Sequence, residues 1–322
     1  MSDNTLAFVF PGQGSQKAGM LAAAHERFAA VRDTFAEASD VLGYNVWDLI
    51  QNGEQDALNM TETTQPVLLS SSVALWRAWQ ACSGASPMIM AGHSLGEFSA
   101  LVCAGGLEFT DAVQLVRLRG SFMQSAVPVG EGAMAAIIGL DDETINGICD
   151  DVAQTSSQVV SAVNFNSPGQ VVIAGHTAAV NQAIDALKAA GAKRALPLPV
   201  SAPFHTALMQ PAGERLAQAI ADIPIAQPTI PVVHNVNAAC ESDPEKIRAL
   251  LVEQIYSPVQ WTRCMQTIVS RGATAVVECG PGKVLSGLTR RIDKSLSSYA
   301  LEEPDDLSSA VAELDQSTGE SE

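Results

Sequence analysis

MIMAGHSLG, residues 88–96, joins a short apolar run to a G-x-S-x-G pentapeptide, and a helix-forming stretch follows as far as Ala104. Met88 to Ala91 is too short for a helix of its own and reads as a buried central strand. The pentapeptide then turns the chain sharply into the helix. Gly92 and Gly96 leave room for a crowded backbone. Ser94 stands clear of the sheet at the positive end of the helix. In this strand-turn-helix setting Ser94 is the candidate nucleophile. The backbone N–H of Leu95 would face a developing oxyanion. The open sheet that such a turn needs makes the chain an α/β protein.

The flanking sequence supplies that sheet. Thr5 to Phe10 reads as a first buried strand, closed by Pro11-Gly12-Gln13-Gly14. Helical periodicity covers His25–Leu42 and Gln65–Trp79, and a helix capped by Thr110 or Asp111 runs to Ala126. From Ala133 to Leu196 the order changes to β-α-β-β-α-β, the order of a small ferredoxin-like unit. The predicted elements are strands at 133–138, 159–164, 170–174 and 192–196, with helices at 142–150 and 178–190. Beyond Pro199 helices and strands alternate again, ending with a strand at 274–278 and a helix to Ile292. The fold class is therefore a hydrolase-like large α/β domain with a parallel sheet core (1–128 and 199–300). A small ferredoxin-like α+β domain is inserted at 129–198. Residues 301–322 read as a solvated, disordered tail, because Tyr299 to Glu322 carries eight acidic residues and no Lys or Arg.

A serine needs a base. His93 adjoins Ser94, but neighbours on a sharp turn point apart. His205, in the proline-rich loop Pro203-Phe204-His205, is the better candidate, and His234, after a strand, competes with it. His25 and His176 read as structural. No acid sits in a distinctive strand-end position between Ser94 and His205, so a backbone carbonyl could hold the imidazole instead. Gln13 offers a backbone donor at the end of the first strand. Its loop lacks the third glycine of a dinucleotide motif and the Lys-Ser pair of a phosphate loop. Arg117 and Arg119 read as solvated helix residues on spacing alone, whereas a buried arginine there would clamp a carboxylate.

Composition narrows the partners. The chain has 322 residues and a net charge of -17, which argues against nucleic acid. No apolar run would span a membrane, and no signal peptide is evident, so the cytoplasm is the expected compartment. Six irregularly spaced cysteines read as reduced thiols, and five scattered histidines suggest no metal site.

Seven motifs together resemble the malonyl-CoA:acyl-carrier-protein transacylases of type II fatty acid synthesis. They are FPGQGSQ (10–16), GHSLGEF (92–98), VRLRGSFMQ (116–124), VNFNSPGQVVIAG (163–175), LPLPVSAPFH (196–205), EQIYSPVQW (253–261) and ECGPGKVLSGL (278–288). The resemblance implies Ser94 as nucleophile and His205 as base, with Gln13 and Leu95 supplying the oxyanion hole. It also implies Arg119 as the clamp on the malonate carboxylate and the Gln254 carbonyl as the group orienting His205. His93, Asn164, Met134 and Phe204 would line the substrate pocket. Phe98 departs from the family, which often has Tyr there. The implied substrates are malonyl-CoA and an acyl carrier protein, with no cofactor and a monomeric enzyme. A carrier protein of this kind is acidic and needs a basic island; Lys193-Arg194 and Arg290-Arg291 with Lys283 and Lys294 are candidates. A serine hydrolase, a non-catalytic acyl-CoA binder and an acyltransferase of polyketide synthesis are the competing readings.

Overall fold

The computed structural model describes residues 5–316 except Ser201. Five strands form a parallel sheet: β1 (Leu6–Phe10), β2 (Ile89–Gly92), β7 (Val232–Val233), β8 (Ala275–Glu278) and β9 (Ser297–Ala300). Their order is β7-β2-β1-β8-β9, and every pairing is parallel. Strand β1 is central. Its alternation sends Leu6, Phe8 and Phe10 to one helical layer and Ala7 and Val9 to the other. Phe8 packs edge-on against Trp76 and Trp79, each at 5.2 Å, on helix Thr61–Ala81. The thinner side, with Ala91 and Val276, accommodates Trp261 and Ile268 of helix Trp261–Ser270. Helices on both faces bury β1, β2, β7 and β8, which is why β1 and β2 read as unbroken apolar runs, whereas edge strand β9 is partly exposed.

The chain leaves β1 toward β2 and β7 on one side and toward β8 and β9 on the other. Such a reversal opens a crevice at the carboxyl ends of the strands. β1 ends there at Phe10 and β2 at Gly92, directly paired in register. The loop carrying Gln13 and the turn carrying Ser94 are thus neighbours.

A second sheet holds β3 (Gly132–Ile138), β4 (Val160–Ser167), β5 (Gln170–His176) and β6 (Arg194–Pro197), in the antiparallel order β4-β5-β3-β6. Ala135, Ile137, Val171 and Ile173 face helices Asp142–Ser156 and Thr177–Ala189. Met134, Val172 and Ala174 face the large domain and join its core. This is the ferredoxin-like arrangement. Its edge strand is also stitched to the large domain: Val259 N–H donates to Val163, and Phe165 N–H donates to Val259. A register shift between Ala162 and Asn164 marks the place.

Several boundaries differ from expectation. The helix predicted from Gln65 begins at Thr61 and holds Pro66 in its interior. Close packing of Gly120 against Thr61 and Glu62 anchors that extra turn. The periodic stretch 25–42 breaks at Phe28, whose extended backbone separates helices Ala22–Arg27 and Ala29–Leu42. Helix Phe109–Gln124 starts from Glu108, with no side-chain cap from Thr110 or Asp111. The largest correction is at the carboxyl end. The segment read as a disordered acidic tail contains helix Pro304–Gln316, and Leu307, Ala310 and Leu314 are buried. The acidic count hid an apolar stripe of three residues at helical spacing. Arg27 and Lys283 meet Asp305 and Asp306 of that helix. Residues 317–322 of the expected tail lie outside the described residues.

Candidate active site

Ser94 occupies the turn between β2 and helix Gly96–Cys103 with φ 52°, a left-handed conformation that non-glycine residues rarely adopt. The flanking glycines make the turn possible. A Cβ on Gly92 would strike the Gly96 carbonyl, and a Cβ on Gly96 would strike the Phe10 carbonyl. Asn235, just past β7, pins the turn from below. Its Oδ1 accepts from Ser94 N–H at 2.7 Å, and its Nδ2 donates to Gly92 O at 2.7 Å.

His205 arrives from the loop after the inserted domain, also at positive φ, 64°. Its Nε2 lies 2.9 Å from Ser94 Oγ, and its Nδ1 lies 2.8 Å from the Gln254 backbone oxygen. A carbonyl can only accept, so Nδ1 carries the proton and Nε2 presents a lone pair to the serine. Burial, and then the Arg119 charge, push the imidazole pKa down to about 3. His205 is therefore neutral at neutral pH and able to take a proton.

Arg119 is 1% exposed, which overturns the solvated reading suggested by its spacing. Its Nη2 donates to Ser94 Oγ at 3.2 Å and to Gln254 Oε1 at 2.7 Å, and its Nη1 donates to Gln65 Oε1 at 2.8 Å. The Phe98 ring lies 5.3 Å beneath the guanidinium. Burial lowers the guanidinium pKa to about 10, which still leaves it cationic. The Nε–H has no acceptor among the described residues.

A cavity of about 110 Å³ opens on these groups. Gln13, His93, Leu95, Met134, Asn164 and Phe204 line it together with Ser94, Arg119 and His205. The structure thus gathers the residues that the family resemblance implied for the site, with Gln254 just behind. His93 turns away from the serine, and its Nε2 lies 2.8 Å from Asn166 Oδ1. His234 is fully buried against Glu97 and does not reach Ser94. Gln65, Glu97, Asn235 and the Gln254 side chain were missed. Glu97 lies inside the GHSLGEF motif and could have been flagged as an acid in an otherwise apolar stretch. The others carry no local signal, being polar residues whose importance depends on what lies across the crevice.

A strained serine at the end of a parallel strand, a neutral histidine and a buried guanidinium are the parts that acyl transfer through a serine nucleophile requires. The chain belongs to the acyl transferase domain family, whose model matches residues 7–310. It is 58% identical to the malonyl CoA-acyl carrier protein transacylase of Salmonella typhimurium strain LT2, over 95% of this chain and 99% of that protein. The Bacillus subtilis transacylase of the same name is 43% identical over 96% and 97%. A solved acyl carrier protein S-malonyltransferase from Vibrio cholerae superimposes with a TM-score of 0.93 at 55% identity, covering 95% of this chain and 99% of that one. A malonyl-transacylase solved with a type II polyketide synthase acyl-carrier protein gives 0.94 at 55% identity, covering 96% and 99%.

Proposed function

We infer that this protein transfers the malonyl group from malonyl-CoA to the phosphopantetheine thiol of an acyl carrier protein through a malonyl-serine ester. The observation that carries the reading is a buried guanidinium beside the nucleophile. Arg119 Nη2 stands 3.2 Å from Ser94 Oγ, where a substrate with a second, free carboxylate would place its charge.

The chemistry follows from the site. Ser94 Oγ attacks the thioester carbonyl, and its proton passes to His205 Nε2. The Leu95 N–H lies in the first helical turn, where no intrahelical acceptor exists, and the Gln13 N–H comes from the neighbouring strand end. Both would receive the oxyanion. Collapse breaks the carbon–sulfur bond, and His205 returns the proton to the CoA sulfur. The carrier thiol then gives its proton to His205 and attacks the ester; the carbon–oxygen bond to Ser94 breaks, and His205 returns the proton to Ser94 Oγ. The Gln254 carbonyl holds the imidazole in the required tautomer, replacing a triad acid. CoA is a leaving group here and not a cofactor. We place the enzyme in the cytoplasm as a monomer; no described helix is long and apolar enough to cross a membrane.

Intact mass after exposure to malonyl-CoA tests the reading. The wild type should gain one malonyl group and lose it to added carrier protein, and Ser94→Ala should gain none. Rapid loss of the adduct to water without carrier would make the protein a hydrolase instead.

A further inference from the structure

Beneath the site lies a buried acid that the reaction scheme above does not use. Glu97 is fully buried in the first turn of the helix after Ser94. Its carboxylate accepts from His234 Nδ1 at 2.7 Å, from Asn235 N–H at 2.9 Å and from Gln254 Nε2 at 2.8 Å. The third contact ties it to the clamp. Gln254 Nε2 also donates to Ser94 O at 2.9 Å, and Gln254 Oε1 receives Arg119 Nη2 at 2.7 Å.

We propose that Glu97 is a positioning residue for substrate selection, fixing the polarity of the Gln254 amide so that Arg119 is held by an acceptor and its charge stays free for the substrate carboxylate. This rests on the reading of Arg119 as the malonyl clamp. The amide has two orientations. In the observed one its NH₂ faces three oxygens, of Ser94, Glu97 and Asn235, and its oxygen faces a cation. The flipped one would set oxygen against the Glu97 carboxylate and NH₂ against the guanidinium, leaving buried groups on both sides without partners. A neutral side chain at 97 removes the charged share of that preference and leaves the contacts to Ser94 O and Arg119 to hold it alone.

The placement of the negative charge matters equally. Among the described residues no carboxylate lies within 4 Å of the Arg119 guanidinium nitrogens. A buried cation needs a counter-charge, because its desolvation is otherwise uncompensated. Direct pairing with an acid would occupy the fork that the substrate carboxylate needs. Glu97 supplies the charge from one amide away, near enough to favour the guanidinium and too far to block it.

The test uses Glu97→Gln, close in shape to the native side chain. Ser94 acylation rates are measured by intact mass with malonyl-CoA and with acetyl-CoA, and by labelling with a neutral fluorophosphonate. Malonyl acylation should fall at least about tenfold more than acetyl acylation, with fluorophosphonate labelling following acetyl. Equal loss across the three reagents, or no loss, overturns the proposal. Gln254→Leu, which keeps the carbonyl behind His205, should lose the same selectivity. The double variant should lose selectivity no more than about threefold beyond the worse single variant. Multiplying losses would show the two residues acting independently and overturn the link. If Glu97→Gln does not fold, an unchanged malonyl-to-acetyl ratio in Gln254→Leu overturns it alone. Absence of malonyl-serine in the wild type would instead reject the functional reading.

Discussion

Ser94 and His205 both hold left-handed backbone, φ 52° and 64°, and their side chains meet at 2.9 Å. Each conformation costs on the order of 1–3 kcal/mol and persists only where the surroundings enforce it. For Ser94 those surroundings are Asn235 and two glycines. For His205 they include the Gln254 carbonyl. The candidate catalytic pair is held in place by its neighbours.

Asn235→Leu should expose this dependence. It leaves Ser94 N–H and Gly92 O, both bonded to the amide, without partners. Stability should fall by about 2–4 kcal/mol, read from the denaturant midpoint, and serine acylation should slow even in the folded fraction. A variant as stable and as fast as the wild type would mean the turn holds itself.

The glycines give a sharper contrast. Gly92→Ala and Gly96→Ala place a methyl group into backbone carbonyls and should abolish soluble, folded protein. Gly287→Ala, on an exposed helix face with no atom within 4 Å of the new methyl, should instead stabilise by about 0.5–1 kcal/mol. Thermal melts of the three variants decide the matter.

Arg119→Ala should separate substrates. Losing the partner of a buried carboxylate costs roughly 2–5 kcal/mol, so malonyl transfer should fall by about two orders of magnitude or more. Acetyl transfer, with no free carboxylate to pair, should be spared or improved. Comparing kcat/KM for the two thioesters reads this directly, and equal losses would reject the clamp.

The lowered pKa of His205 has two consequences with opposite readouts. Burial first, then Arg119, hold the folded value near 3 against 6.5 for the free side chain. The acidic limb of serine acylation should therefore lie well below pH 6.5, and Arg119→Met should move it upward. Stability runs the other way from activity tuning. Between about pH 6.5 and 3 the unfolded chain binds a proton that the native imidazole refuses, so this group's contribution to stability shrinks as pH falls through that window. A pH series of denaturant midpoints for wild type and His205→Gln should differ in slope there.

The basic island can be tested by charge reversal. Arg290, Arg291 and Lys294 are exposed near the end of helix Val284–Ile292, whereas Lys283 already pairs with Asp306 at 3.0 Å. Reversing these three charges, none of which pairs with an acid among the described residues, should raise the KM for carrier protein without slowing malonyl-serine formation. An unchanged KM would move the docking face elsewhere.

Much of this protein was legible in its sequence because the decisive signals are local. Residues 88–96 fix a strand, a turn and a helix within one short stretch, and steric crowding there admits glycine at 92 and 96. The two sheets announce themselves through changes in hydrophobic period. The carboxyl-terminal helix escaped because net acidity outweighed three spaced apolar residues. Phe28 broke a helix whose periodicity was continuous.

The sequence by itself pointed to Ser94 as the candidate nucleophile, gave the order of the elements and, through family motifs, named the candidate base and clamp. Only the tertiary structure decided that Arg119 is buried and that Gln65, Glu97, Asn235 and Gln254 share one network. Backbone sterics and hydrophobic period act over a few residues and can be read along the chain. The ionisation of a histidine, the exposure of an arginine and the orientation of an amide are set by groups about fifty to more than a hundred and fifty residues away, so they exist only once the crevice has closed around them.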